Sequence, residues 1–164
     1  MEFKTADLYD RFSDDVQVAD PLLHDYGGVR CFSGPMVTLD VYEDDVLVRE
    51  TLEEPGDGRV LVIDGGGSTR CALLGRQVAQ LAHDNGWAGV VIHGAIRNVA
   101  QVSEIAIGLK ALTTVPRASR HMGRGELDRP LHFASVTFRP GHYLYADADG
   151  IVVAPRDLLN ASER

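Results

Sequence analysis

The sequence has few cysteines, no long apolar run and no segment that resembles a leader. Its two cysteines, Cys31 and Cys71, are too few for a disulfide scaffold or a zinc knuckle, and they fit a reducing compartment. The longest apolar runs, such as Val60–Ile63, fall far short of the roughly 20 residues that span a bilayer. No basic segment followed by an apolar stretch opens the chain, as it would in a secretory signal. We therefore expect a cytoplasmic protein that does not bind a membrane.

Length and composition indicate one globular domain. Hydrophobic residues make up 45% and charged residues 24% of the chain, which excludes a disordered or fibrous protein. No internal repeat, low-complexity tract or linker interrupts the 164 residues. We therefore predict a single domain over residues 1–164.

Charge is distributed unevenly along the chain. The formal net charge is −8, but residues 1–58 carry 15 acidic and 4 basic side chains, whereas residues 59–164 carry 9 acidic and 12 basic ones. An acidic surface repels nucleic-acid phosphate and attracts basic partners. This distribution disfavours direct binding of nucleic acid, although the same charge would also serve solubility alone.

The middle of the sequence predicts a βαβ unit. Residues Arg59–Ile63 form an apolar run of strand length, and an apolar stripe at helical spacing follows from Leu73 to Ala82. Trp87–Ile92 then predicts a second buried strand, closed by Gly94. A strand, a helix and a strand in this order require parallel pairing with a right-handed crossover.

The remaining elements predict a layered α/β sandwich. We expect a first helix at Thr5–Phe12, strands at Pro35–Leu39, Val46–Arg49, Ala111–Val115 and Ser135–Phe138, and a final hairpin of Tyr143–Ala146 with Ile151–Val153. Helices near the middle with strands on both sides are typical of layered α/β folds.

Two loops of the βαβ unit hold the residues best placed for chemistry. The loops that follow two parallel strands emerge at the same sheet edge, where ligands usually bind. They are Asp64–Ser68, with three consecutive glycines, and His93–Asn98, which contains Arg97. Glycine backbone and helix-start amides can receive an anion, and an arginine can bind a carboxylate with two hydrogen bonds. The pattern indicates a small-anion pocket, although glycines needed only for packing and a surface arginine would look the same.

Other chemistries have weaker support. A dinucleotide site is disfavoured because Arg70 stands where the glycine fingerprint needs its third glycine. The six histidines never fall at a close metal-ligand spacing, Ser68 lacks the nucleophile-elbow pattern, and Cys71 fits the core. His93 retains a candidate role because of its position in the loop. The arginines at 117, 120, 124 and 129 have no interleaved aromatics, so they indicate a solvated loop or a subunit contact.

Several motifs, in the right order, resemble the family of the regulator of ribonuclease activity A (RraA-like). They are Asp64–Ser68, Gly94–Arg97, Ala134–Phe138 and Tyr145–Ile151, together with Thr5–Leu8, Tyr26–Gly28 and Phe32–Gly34. The resemblance covers nearly the whole chain. It implies a three-layer α/β/β sandwich of the swivelling-domain type, built on a central βαβ unit and assembled as a homotrimer with clefts between subunits.

The same family contains metal-dependent aldolases that cleave 4-hydroxy-4-methyl-2-oxoglutarate to pyruvate and also decarboxylate oxaloacetate. Catalytic members carry an Asp or Glu, twenty intervening residues and then Arg-Asp. By this resemblance Arg97 keeps the arginine that stabilises the enolate, whereas Arg76 and Asn98 replace the two carboxylates. The residues that correspond to the substrate-carboxylate site are Gly75, Arg76, Gln77, Val78 and Arg97.

The two replacements predict a cleft that binds a metal poorly. Mg²⁺ prefers carboxylate ligands, and the cleft gains two positive charges at position 76 and one at position 98. At about 7 Å and an effective dielectric of about 20, an arginine repels a dication by roughly 5 kcal/mol before screening. We therefore expect Arg97 to be a vestigial catalytic position, Asn98 not to ligate a metal, and no cofactor to be present.

The family's other role is to bind the Arg-rich, disordered scaffold of RNase E, sometimes with its RNA helicase partner, and so to damp RNA decay. An acidic first third of the chain would attract such a segment. The sequence thus predicts a regulator of ribonuclease activity with a degenerate aldolase site. The alternative is an aldolase or oxaloacetate decarboxylase, a class II-type carbon–carbon lyase that uses Mg²⁺ or Mn²⁺. In that alternative, water or a neighbouring subunit supplies the missing ligands. A third reading is a small-anion binding protein.

Overall fold

The computed structural model describes residues 2–160 as four short helices and twelve strands. Residues 1 and 161–164 of the predicted domain lie outside the described residues. The helices are α1 (Thr5–Phe12), α2 (Val46–Glu53), α3 (Arg76–Asp84) and α4 (Val99–Val102). The strands are β1 (Gln17–Val18), β2 (His24–Asp25), β3 (Phe32–Asp40), β4 (Val60–Asp64), β5 (Ala72–Leu74), β6 (Gly89–Ile96), β7 (Gly108–Thr114), β8 (Glu126–Leu127), β9 (Leu131–Phe133), β10 (Val136–Phe138), β11 (Tyr143–Asp147) and β12 (Gly150–Ala154).

Ten of these strands form one mixed sheet. Its main order is β1-β12-β11-β3-β4-β6-β7-β2, with β5 added beside β6 and β8 beside β3. The central strands β3, β4, β6 and β7 run parallel, whereas β11 and β12 join them as an antiparallel hairpin. Strands β9 and β10 form a separate hairpin. Because the central strands are parallel, their carboxyl ends share one edge of the sheet.

Alternation along the central strands separates two cores. In β4, Leu61 and Ile63 pack with buried residues of α2 and α3, whereas Val60 and Val62 pack with the β9–β10 hairpin and with β11 and β12. All four of these side chains are fully buried. Helices, sheet and second β layer therefore stack in that order, and the predicted α/β/β sandwich is confirmed.

The predicted βαβ unit is present, with shifted boundaries. Strands β4 and β6 pair in parallel, and α3 connects them. Leu73 and Leu74, predicted at the start of the helix, instead lie in β5, which pairs with the end of β6. The second strand also continues past Gly94 to Ile96. The apolar residues before α3 are thus buried by strand pairing rather than by a helical face.

The predicted strand at Val46–Arg49 is wrong, because these residues begin helix α2. The Asp44 carboxylate accepts a hydrogen bond from the Val46 amide at 3.2 Å, which satisfies a donor at the helix start. Val48 and Leu52 lie four residues apart on the buried side of the helix. The alternating valines of this segment suggested a strand, but helical spacing over the longer segment decided its structure.

The other predicted elements occur near their expected places. Helix α1 spans Thr5–Phe12 as predicted, the three remaining single strands correspond to β3, β7 and β10, and the predicted hairpin corresponds to β11 and β12. Asp147 of that hairpin holds the start of α1, since its carboxylate accepts the Thr5 amide at 2.8 Å and the Thr5 hydroxyl at 2.6 Å. Within residues 2–160, no helix is long and apolar enough to cross a membrane.

Candidate functional site

A cleft of about 730 Å³ lies between α2, the start of α3 and the loop that joins β6 to α4. Residues Ala72–Leu74 of β5 also line it, and Ala118 and His121 approach from the segment after β7. The sequence-predicted site residues that line this cleft are Gly75, Arg76, Gln77, Val78, Arg97 and Asn98. The fold therefore brings residues about 20 positions apart to one surface.

Close packing between two loops positions Asn98. Its backbone is left-handed, with φ 59° and ψ 40°, a conformation that asparagine adopts more readily than most residues. Its side-chain Oδ1 accepts the Arg76 amide at 3.4 Å, at the first turn of α3. A methyl group at Gly75 would lie 2.8 Å from the same oxygen, so a larger residue there would displace the Asn98 side chain. With Oδ1 turned to the helix, the other polar atom of the amide is Nδ2, a hydrogen-bond donor.

Two exposed arginines form the basic wall of the cleft. Arg97 follows β6, and its Nη1 donates a hydrogen bond to the Pro116 carbonyl at 3.4 Å. Arg76 is the first residue of α3. Within the described residues neither side chain forms an ion pair, so both guanidinium charges are available to a ligand.

Helix α2 supplies an acidic wall that the sequence reasoning missed. Arg49, Glu50 and Glu53 line the cleft from this helix, and Asp45 lies just before it. Arg49 pairs with Glu53 at 3.7 Å. Three arginines and three carboxylates therefore line the cleft, and its positive charge is concentrated on the α3 side rather than distributed throughout. The helical spacing of Val48 and Leu52 could have predicted helix α2, but not its packing beside α3.

The donors at positions 76 and 98 do not fit the divalent cation that the resemblance assigns to the aldolases of the family. A guanidinium stands at position 76, and the one amide oxygen of Asn98 already accepts a backbone hydrogen bond. A hydrogen-bond donor such as Nδ2 cannot ligate Mg²⁺. Over residues 2–160, no three His, Cys, Asp or Glu side chains are grouped so that they could hold a metal ion.

The glycine loop, predicted to share the anion pocket, faces a different neighbourhood. The amides of Gly65 and Gly67 donate to the His93 carbonyl, and the Gly66 amide donates to the Asp64 carboxylate at 2.8 Å. Residues 64–68 are also absent from the lining of the cleft. The predicted single pocket built from both loops is therefore wrong, because the glycine amides are already engaged within the fold.

His93 is part of a polar row at the edge of the sheet. Asp40, Asp64 and His93 are neighbours on β3, β4 and β6. His93 Nδ1 lies 3.0 Å from Asp64 Oδ1, and its ring stacks on Phe133 at a centroid distance of 4.6 Å. Burial tends to raise the pKa of the Asp64 carboxyl, but hydrogen bonds from His93 and Gly66 outweigh it and hold that pKa below its ordinary value. His93 does not line the cleft.

The two candidate nucleophiles are engaged or buried. The Ser68 hydroxyl donates to the Glu43 carboxylate at 2.7 Å, and the same carboxylate pairs with Arg70. Cys71 is 6% exposed, and burial raises the pKa of its thiol. It precedes β5 rather than lying in a helix, and it remains a core residue.

Comparison with known sequences gives relatives along nearly the whole chain. A family model described as RraA-like, Aldolase/RraA, matches residues 5–153. A protein of Paraburkholderia phytofirmans named putative 4-hydroxy-4-methyl-2-oxoglutarate aldolase is 50% identical over 159 residues, which cover 94% of this chain and 97% of the relative. A protein of Alkalilimnicola ehrlichii with the same name is 50% identical over 161 residues, which cover 98% of this chain and 100% of the relative.

Two solved structures share both the fold and much of the sequence. A Geobacillus kaustophilus protein described as an S-adenosylmethionine:2-dimethylmenaquinone methyltransferase is 52% identical, with a TM-score of 0.95 over 96% of this chain and 98% of its own. The RNA-processing inhibitor RraA from Thermus thermophilis is 45% identical, with a TM-score of 0.92 over 95% and 94%. The names of these relatives describe three different activities, so a name alone assigns none to this chain. Sequence, fold and family model agree on one conclusion: the chain belongs to the RraA-like family.

Proposed function

We propose that the protein is a regulator of ribonuclease activity that binds the Arg-rich scaffold of RNase E and does not act as an aldolase. The observation that carries this proposal is the pair of replacements at the cleft. The Arg76 guanidinium and the Asn98 amide stand where the aldolases of the family have two carboxylates. Binding a protein partner requires neither carboxylate and no metal.

The contact between positions 76 and 98 strengthens this argument. Because the Arg76 amide lies 3.4 Å from Asn98 Oδ1, the Arg76 side chain begins beside the position where a cation would sit. Before screening, which is substantial because Arg76 is exposed, repulsion of roughly 5 kcal/mol at about 7 Å would correspond to about thousandfold weaker metal binding. Two of the three acids on the opposite wall already have basic partners. Glu53 pairs with Arg49, and Asp45 lies 2.6 Å from His121.

The distribution of exposed acids supports a basic partner. The first 58 residues have a net charge of −11, and the exposed side chains of this segment include Asp7 and Asp10 on α1 and Glu50 on α2. A field of this sign accelerates the encounter with an Arg-rich segment and opposes the encounter with nucleic acid. This charge supports a proposed interaction with the protein component of an RNA-degrading complex, and the RNA helicase is a second candidate partner.

A homotrimer is part of the proposal. Residues 120–130 are exposed along their whole length, and three large apolar side chains, Tyr42, Met122 and Leu127, are 58%, 63% and 44% exposed. Tyr42 and Met122 line one surface pocket together with Glu126, the neighbour of Leu127 in the chain. Clustered exposed apolar side chains are typical of an interaction surface. We assign this surface to contacts between copies of the chain.

An aldolase or oxaloacetate decarboxylase is the second candidate. It is favoured by the retained Arg97, by the first-turn amides of α3 in the same cleft, and by the name of the relatives that are 50% identical. In this function the amides of Gln77 and Val78 would hold the substrate carboxylate, and Arg97 would stabilise the negative charge that develops on the 2-oxo group.

The first experiment measures the effect on the ribonuclease. Adding the purified chain to RNase E that retains its scaffold should slow cleavage of an RNA substrate, whereas RNase E lacking the scaffold should be unaffected. Binding to the isolated scaffold segment should weaken steeply as salt is raised, because surface charges are screened. If the scaffold segment does not bind, or if its binding does not depend on salt, the proposed regulator function is contradicted.

The second experiment measures the affinity of the chain for a divalent metal ion. We expect Mn²⁺ binding to the unmodified chain to be at least about a hundredfold weaker than binding to the double variant Arg76→Asp/Asn98→Asp, as measured by calorimetry. The variant Arg139→Asp/Thr69→Asp changes the net charge equally at exposed positions outside the cleft and should not bind Mn²⁺ more tightly. Strong Mg²⁺- or Mn²⁺-dependent pyruvate release from oxaloacetate by the unmodified chain would instead establish the second candidate.

A further inference from the structure

A second groove, of about 540 Å³, lies between α1 and the strands β1 and β12. Helix α1 contributes Thr5, Ala6, Tyr9 and Asp10, and the opposite side is formed by Val18, Ala19 and residues 149–152. This groove shares no lining residue with the cleft described above. It is built from the first and last elements of the described chain.

The groove exposes apolar side chains on a fixed framework. Tyr9 is 48% and Val18 is 50% exposed, although both belong to secondary structure. Helix α1 cannot easily close over them, because Thr5 is held by Asp147 and Leu8 is buried against Tyr145 and Val152. The Tyr9 ring is therefore available at the rim of a preformed surface.

Two carboxylates border this apolar surface from opposite sides. Asp10 lies on α1 and Asp149 lies in the turn between β11 and β12, and both are exposed. Neither forms an ion pair within the described residues, whereas Asp147 between them is already bonded to Thr5. Asp7 on α1 and Asp14 in the turn that follows it are also exposed, but they do not line the groove.

Two arginines in this part of the molecule are already occupied, whereas Lys4 lies at the opposite end of α1 from Asp10. Arg156 pairs with Asp15 at 2.9 Å, and its guanidinium also lies over the Phe12 ring at 5.7 Å. Arg11 contacts the same ring from 5.3 Å. The groove therefore keeps uncompensated negative charge beside an aromatic ring.

We propose that this groove binds an arginine-rich peptide segment, with one guanidinium on the Tyr9 ring between Asp10 and Asp149. A planar guanidinium can stack on an aromatic ring and donate to carboxylates at once, which the ammonium of lysine does less well. The negative charges of the groove disfavour the binding of an acidic peptide segment and of nucleic acid. The inference rests on the proposed function, since it locates the partner of the regulator on the surface of this chain.

The test uses a fluorescent peptide of four Gly-Arg repeats and the full-length chain, with binding followed by anisotropy. The double variant Asp10→Asn/Asp149→Asn should bind about tenfold more weakly, and Tyr9→Ala about threefold more weakly. The control Glu54→Gln/Asp57→Asn changes the net charge by the same amount at exposed positions outside the groove, and it should change affinity less than about twofold. A peptide of four Gly-Lys repeats should bind several-fold more weakly than the arginine peptide.

The outcomes separate the groove from the proposed function. Equal weakening by the groove variant and its control, or no binding of the arginine peptide, would overturn the groove as the binding site. The isolated RNase E scaffold segment is tested with the same variants. If the scaffold binds and the groove variants have no effect on its affinity, the groove is not the binding site, but the proposed regulator function stands. If the arginine peptide binds in the groove but the scaffold segment does not bind, the proposed regulator function is wrong, but the groove remains a binding site for arginine-rich peptides.

Discussion

At the scale of single residues, Asp44 organises the region beside the cleft. Its side chain is 2% exposed and accepts hydrogen bonds from four backbone amides, those of Val46, Met122, Gly123 and Arg124, at 3.0–3.3 Å. The carboxylate thus joins the start of α2 to the exposed segment around Met122. Burial alone would raise the pKa of this carboxyl, but the four amides outweigh burial and hold its pKa below the ordinary value.

Replacing this carboxylate should destabilise the protein. We expect Asp44→Ala to lower the free energy of unfolding by about 2–4 kcal/mol at pH 7, because several buried amides lose a charged acceptor. Since the folded-state pKa is depressed, the stabilisation is present above the unfolded-state pKa and is lost as the pH falls through the folded-state pKa. Urea unfolding at pH 7 and at about pH 3 should therefore show a smaller difference between variant and parent at the lower pH.

The control for this prediction is Asp14→Ala, at an exposed aspartate in the turn after α1 that forms no ion pair within the described residues. It should change the free energy of unfolding by no more than about 0.5 kcal/mol. A loss of the same size at both pH values for Asp44→Ala would contradict the role given to its charge.

The residues of the candidate site were predicted unequally well. The family resemblance indicated Gly75, Arg76 and Arg97, which line one wall of the cleft, whereas the loops of the βαβ unit alone predicted a pocket that the glycine loop does not share. Glu50 and Glu53 could not be placed, since their position depends on how α2 packs against α3. The hydrogen bond from the Arg76 amide to Asn98 also had no sequence signal, because it joins residues 22 positions apart.

At the scale of elements, apolar periodicity predicted most of the fold. The βαβ unit and the closing hairpin have long apolar or alternating segments, and both were predicted from them. Segments of three or four residues were ambiguous, because a short apolar run fits a buried strand and a buried helix equally well. Val46–Arg49 was predicted as a strand and is a helix, whereas Leu73 and Leu74 were predicted as helix and form a strand.

Tertiary contacts resolved both ambiguities. The start of α2 is fixed by a carboxylate that is bonded to residues 122–124, far along the chain. Strand β5 exists because the end of β6 offers it a partner. Neither contact is local, which explains why a local pattern did not identify them.

At the scale of the whole molecule, the exposed apolar surface around Met122 makes the trimer testable. Light scattering should give a particle of three times the chain mass of 17.8 kDa. Met122→Glu/Leu127→Glu should yield monomers, because burying the introduced charges at the interface is unfavourable. The control Tyr9→Glu/Leu22→Glu replaces side chains that are 48% and 43% exposed and do not line the cleft, and it should remain trimeric. A monomer mass for the unmodified chain would contradict the assembly.

The bond between Thr5 and Asp147 has a consequence for synthesis. On a ribosome, α1 emerges long before the hairpin that holds it, since its anchor lies 142 residues later. An isolated helix of eight residues is unstable in water, so the beginning of the chain stays unfolded while the middle is translated. The hairpin and the first helix then complete the fold together, and chains that stop before residue 147 leave Leu8 and its apolar neighbours exposed to aggregation and proteolysis.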